Sequence, residues 1–145
     1  MKEDFVTYGL AVKLKEKGFK EECIAHYFNG EFIYNISQFR GACVESLLVS
    51  YNSLSQTDNI YENYNKCIDA PSVSQVLKWL RDEKKLYLSI EPYLTDFSST
   101  EIMWIWDALY INSDCKFKWH DGEFGFDSYE KAAVSAIEDV IDNLI

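Results

Sequence analysis

Glycine and proline are scarce in this chain of 145 residues, at six and two positions. No glycine-rich loop of the kind that cradles phosphates is present, and no Gly-x-Ser-x-Gly nucleophile elbow. The four cysteines, Cys23, Cys43, Cys67 and Cys115, are scattered without a Cys-x-x-Cys pair. Met1 is followed by Lys2, Glu3 and Asp4 rather than by a basic region leading into an apolar one. No apolar run approaches the ~18 residues of a membrane helix. These absences predict a soluble cytoplasmic protein with reduced, mostly buried thiols, no bound cofactor and no membrane contact.

Positive charge is the other shortage, and it is local. Residues 1–88 carry 11 Lys/Arg against 12 Asp/Glu, whereas residues 89–145 carry 3 (Lys116, Lys118 and Lys131) against 12. The formal net charge of −10 therefore sits almost wholly in the C-terminal two-fifths. A solubilising surface explains it, and so does an acidic face for a basic partner. Direct nucleic-acid binding is disfavoured, because phosphate neutralisation needs a stripe of Lys/Arg. The short cluster Lys78, Arg81, Lys84 and Lys85 is interrupted by Asp82 and Glu83.

What the chain has is apolar and aromatic residues, 48% and 16%, enough for one ring-rich domain spanning 1–145. Helical spacing of Leu10, Ala11 and Leu14 behind Thr7, with Gly18 as a stop, predicts a helix within Phe5–Gly18. CIAHYFNGEFIYN predicts a hairpin with a type I′ turn at Asn29-Gly30, pairing Phe28 with Glu31, Tyr27 with Phe32 and His26 with Ile33. Phe39, Cys43, Val44, Leu47, Leu48 and Tyr51 predict a helix over about 38–52, followed by a long polar loop; 36–68 is the segment that reads as an insertion or as irregular. APSVSQVLKWLRDEKK predicts a helix with Val73, Val76, Leu77 and Leu80 as its apolar stripe. LYLSIEPYL alternates with period two, and its Pro92 fits a strand end or an edge position. IMWIWDALYIN is apolar on both faces, which predicts a central strand covered on both sides. CKFKWH-Asp121-Gly122-EFGF repeats the Asx-Gly-Glu-Phe pattern of the first hairpin. It predicts a second one, pairing Trp119 with Phe124 and Phe117 with Phe126. The terminal stretch predicts an amphipathic helix capped by Asp127 or Ser128. The sum is an α+β fold: a largely antiparallel sheet, hairpin plus C-terminal meander, carrying three or four helices.

Candidate chemistry is thin. Cys23-x-x-His26 and Cys115-x4-His120 can be written as a zinc site, but residues three or five apart on a strand point to opposite faces. A Cys–His dyad needs spatial neighbours that chain order does not reveal, and a small core residue is the simpler reading of each cysteine. Asp107, among apolar neighbours on the central strand, is the carboxylate whose pKa burial would raise. Trp79, Trp104, Trp106 and Trp119 read as core or as interface anchors, and any of them exposed on the sheet would favour a binding surface. No catalytic, cofactor or metal residues are assigned.

Three motifs carry a resemblance. Tyr8, Ala11, Leu14, Gly18 and Phe19 form the first; Ala70, Pro71, Trp79, Leu80 and Arg81 the second; Ser128, Tyr129 and Ala132 the third. Together they resemble small uncharacterised proteins of prophages and mobile elements in Bacteroides-type gut bacteria, with residues 36–66 outside the shared outline. The resemblance implies an α+β fold and a phage-associated origin, and it implies no catalytic residues. The expectation is a non-enzymatic accessory protein that works by protein–protein contacts, homo-oligomerisation included, through its acidic C-terminal half. The rival is a small-ligand-binding domain or enzyme with a pocket between sheet and helices.

Overall fold

Thr7 opens helix α1 (Tyr8–Glu16), its hydroxyl accepting from the Leu10 N–H at 3.3 Å. Gly18, at φ +90°, closes it: Gly18 N–H donates to Lys15 O and Phe19 N–H to Leu14 O. Those two bonds make a Schellman motif, and the residues joined by the longer one, Leu14 and Phe19, are both buried. The computed structural model describes residues 4–38, 44–46, 48–53, 66–96 and 100–145. Its contacts divide the chain into two compact units, Met1–Ser72 and Val73–Ile145. Each combines helix with antiparallel sheet, so the chain is α+β, and among the described residues it has three α-helices.

In the first unit, β1 (Ala25–Phe28) and β2 (Glu31–Tyr34) form the expected hairpin in the expected register, Phe28 opposite Glu31 and Tyr27 opposite Phe32. Asn29 at φ 51° and Gly30 at φ 83° supply the two positive values of a type I′ turn. The Tyr27 and Phe32 rings meet edge to face at 5.6 Å. Tyr27 is also tied to the start of α1, its hydroxyl donating to Val6 O at 2.7 Å. Strand β5 (Cys67–Asp69) adds to the other side of β1, with His26 opposite Asp69. Two further strands, β3 (Ile36–Gln38) and β4 (Val44–Ser46), pair with each other. They replace the helix expected over 38–52, whose positions 39–43 and 47 lie outside the described residues. Val49 then bridges to Cys23, and Tyr51–Ser53 form a 3-10 turn. A helix here would have carried Gly41 in its interior and Ser46, Ser50 and Asn52 along its turns, all weak helix formers. Most of the expected loop, 54–65, also lies outside the described residues.

The second unit begins with α2 (Val73–Lys84), which buries Val73, Val76, Trp79 and Leu80. Trp79 replaces Leu77 in the expected stripe, and Lys84 Nζ stands 5.0 Å over its ring. Strand β6 (Leu86–Leu94) pairs along its whole length with β7 (Ile102–Ile111). As expected, β7 is central and β6, with Pro92, is an edge. The second hairpin does not form. Instead β8 (Phe117–His120) and β9 (Phe124–Phe126) follow one another along the far side of β7, His120 opposite Ala108 and Phe124 opposite Ile105. Residues 121–123 are a bulge between them, and Trp106 N–H donates to Glu123 O there. Gly122 has no positive φ. Its Cα faces Trp106 so closely that a Cβ would lie 1.9 Å from the Trp106 carbonyl oxygen. Helix α3 (Tyr129–Asn143) packs on β6, β7 and β9, burying Ala132, Ala133, Ala136, Ile137, Val140 and Ile141. Ser128 is its cap, while Asp127 pairs with Lys131 Nζ at 2.7 Å.

Candidate functional site

Directly opposed residues on antiparallel strands share a face. In the second unit Leu86, Ala108, Trp106 and His120 therefore belong with α3. His120 Nε2 is 2.5 Å from Asp139 Oδ2 on that helix, and its ring stacks on Trp106. Asp139 is held in turn by the Asn143 side-chain amide. The histidine next to the second Asx-Gly pair thus joins sheet to helix. Trp106 is 1% exposed and its indole N–H has no acceptor among the described residues. Trp104, half-buried on the same side, meets Tyr129 edge to face at 5.4 Å.

Among the described residues the opposite face is largely exposed, contrary to the expectation of a strand buried on both sides. Register places Tyr87, Glu91, Ile105, Asp107, Leu109 and Ile111 there, and with them Phe117 and Trp119 of β8 and Phe124 of β9. Phe117, Trp119 and Phe124 are 64%, 67% and 75% exposed, although fully burying such a ring is worth roughly 2–3 kcal/mol. All three were expected to be cross-strand partners in a hairpin of β8 and β9, Trp119 with Phe124 and Phe117 with Phe126. Since both strands pair with β7 instead, Trp119 lies beside Leu109 and Phe124 beside Ile105, and Phe126 passes to the α3 side with Trp104. Of the four tryptophans, only Trp119 stands exposed on the sheet.

Asp107 lies at the middle of this face, opposite Ser89. Its Oδ1 is buried and has no hydrogen-bond partner among the described residues. Loss of hydration raises its pKa above the ordinary carboxyl value, and the neighbouring carboxylates of Glu91 and Asp121 raise it further. Glu91 accepts from Ser89 Oγ at 2.9 Å. A carboxyl whose folded pKa is raised stabilises the fold most when protonated, and that contribution is lost as pH rises through the raised value. Asp107→Asn should therefore melt near the wild type at acid pH and above it at neutral pH. The gap should open upward from the ordinary carboxyl range, and melts across that range that show a less stable variant at neutral pH would refute the account.

The first unit holds a second polar cluster, around Asp69, a residue that neither chain order nor residue type singles out. Asp69 is fully buried, yet its carboxylate accepts from the Tyr51 and Asn52 N–H groups at 2.8 and 2.9 Å and from Ser50 Oγ at 3.3 Å. Asn52 Oδ1 accepts in return from the Asp69 N–H. His26, opposite Asp69, packs its ring on Tyr51 and lies 2.6 Å through Nδ1 from Asn35 Oδ1, while Asn35 donates to Cys23 O. Burial pushes the Cys23 and Cys67 thiols up, and the Asp69 charge adds to it, so both are poor nucleophiles. Cys115 is exposed in the β7–β8 turn, and Cys43 lies outside the described residues. Among the described residues no three His, Cys, Asp or Glu side chains converge as metal ligands. The cluster joins the 3-10 turn to the sheet, with its oxygens used up in doing so.

Comparison with protein-family models, with curated proteins and with solved structures gives no match to this chain.

Proposed function

We propose that the protein is a non-enzymatic binding module, an accessory of a phage or mobile element, that works by protein–protein contact through the open sheet face of its second unit. The observation that carries this reading is the line of exposed rings, Phe117, Trp119 and Phe124, on one face of a regular sheet. Aromatic side chains of this kind anchor interfaces, because they bury much area at small entropic cost. The opposite face already has α3 as its cover, so the rings are surplus to the core of that unit.

The test is comparative capture from bacterial lysate by tagged wild type and by Trp119→Ser/Phe124→Ser. Both positions are exposed, so the double variant should fold and melt within about 1 kcal/mol of the wild type. A protein retained by the wild type should be lost from the variant. Equal capture by both, with unchanged circular dichroism, would remove this face as the site.

A further inference from the structure

The occupant of the open face is constrained by charge. Each charged side chain that register or electrostatic coupling places beside Asp107 is a carboxylate: Glu91, two residues along β6 from its partner Ser89, and Asp121, just beyond β8. The cations of this unit lie elsewhere: Lys78, Arg81 and Lys84 are on α2, and Lys85 directly follows it. Lys118 is opposite Tyr110 and so shares the α3 side, Lys116 is in the β7–β8 turn, and Lys131 is on α3 paired with Asp127. The face is thus a ring-lined apolar surface whose polar centre has one sign.

A second copy of this chain is a poor occupant, since a two-fold contact would set like charges against one another. A neutral apolar surface would cover the rings but leave Asp107 and its neighbouring carboxylates further desolvated with no cation beside them, which is unfavourable. A partner offering apolar side chains together with a cation satisfies both halves. Resting on the binding role proposed above, we infer that the face receives a basic protein segment, one Lys or Arg of which enters among Asp107, Glu91 and Asp121 while its apolar side chains cover Trp119 and Phe124. The crowding of Asp107 in the unbound protein is then relieved on binding. The carboxylates that crowd Asp107 are the ones that, with it, select the partner.

The probes are two synthetic peptides of equal length, one alternating Lys and Val and one alternating Glu and Val. They are titrated by calorimetry against the full chain at about 50 and 500 mM salt, a range over which screening shortens from beyond 10 Å to a few ångströms. The Lys peptide should bind and weaken at least about tenfold at high salt, and the Glu peptide should not bind. Glu91→Gln/Asp107→Asn/Asp121→Asn should lower affinity for the Lys peptide about tenfold or more while melting no lower than the wild type. Trp119→Ser/Phe124→Ser should lower it at both salt concentrations. Equal binding of the two peptides, or an unchanged affinity in the triple carboxylate variant, would overturn the inference. If ring substitution still abolished lysate capture, the binding role would survive that result. Self-association in sedimentation that Trp119→Ser/Phe124→Ser removes would make a second copy the occupant and overturn the inference as well.

Discussion

Gly122→Ala should destabilise the second unit by about 3 kcal/mol or more, at the upper end of the usual cost of overpacking. The added Cβ would lie 1.9 Å from the Trp106 carbonyl oxygen and 2.5 Å from Cε3 of the Trp106 ring. Neither atom can yield cheaply. The carbonyl belongs to the central strand, and the indole is fully buried against its neighbours. Relief would require the bulge to lift off β7, breaking the Trp106 N–H to Glu123 O bond and leaving a second donor of the same residue without an acceptor. In a unit of this size the melting temperature should fall by more than about 10 °C, followed by near-ultraviolet circular dichroism of the buried tryptophan. Gly30→Ala is the control. Gly30 has open space where a Cβ would go and only its φ of +83° to strain, so about 1–2 kcal/mol is expected. Comparable losses at the two positions would refute the close approach as the reason for Gly122.

That contrast also marks how far the chain could be read. Asn29-Gly30 and Asp121-Gly122 are followed by the same Glu-Phe pair. The first was legible because a type I′ hairpin is decided within a few residues. The second was not, because the bulge depends on a competitor distant in sequence. Strand β7 offers a longer apolar edge than β8 and β9 offer each other, and pairing with β7 leaves β8 and β9 in line. Helices α1, α2 and α3 were legible from caps, stops and 3.6-residue spacing. The segment around Val44 was not, since a short apolar run with helical spacing is also consistent with a strand in a small sheet. Trp119 was marked as an interface candidate by residue type alone. Its exposure followed only from where β8 pairs. Asp69 gave no signal at all, because its partners Ser50, Tyr51 and Asn52 precede it by 17 to 19 residues and contribute mainly backbone N–H groups.

Asp69→Ala should cost the first unit about 3–5 kcal/mol, the range found when one partner of a buried polar network is removed. The Tyr51 and Asn52 N–H groups would lose their acceptor, and the Asn52 side chain would keep only part of its pairing. The 3-10 turn should then separate from β5, taking Tyr51 off the His26 ring. Two influences act on the Asp69 carboxyl in opposite directions. Burial favours its neutral form, whereas the two N–H groups, Ser50 and the nearby His26 favour the charged form, and burial prevails, so the pKa is raised. The stability that Asp69 contributes through titration is thus full below the ordinary carboxyl range and declines as pH rises through the raised value. The gap in melting temperature between wild type and Asp69→Ala should accordingly be widest in mild acid, narrow as pH rises, and level off once Asp69 is ionised in the folded state. Thermal melts of both proteins across that range decide the matter. A gap that widens with rising pH would mean that the hydrogen bonds to the carboxylate outweigh its desolvation, and that Asp69 is held as a stabilised anion rather than as a costly buried one.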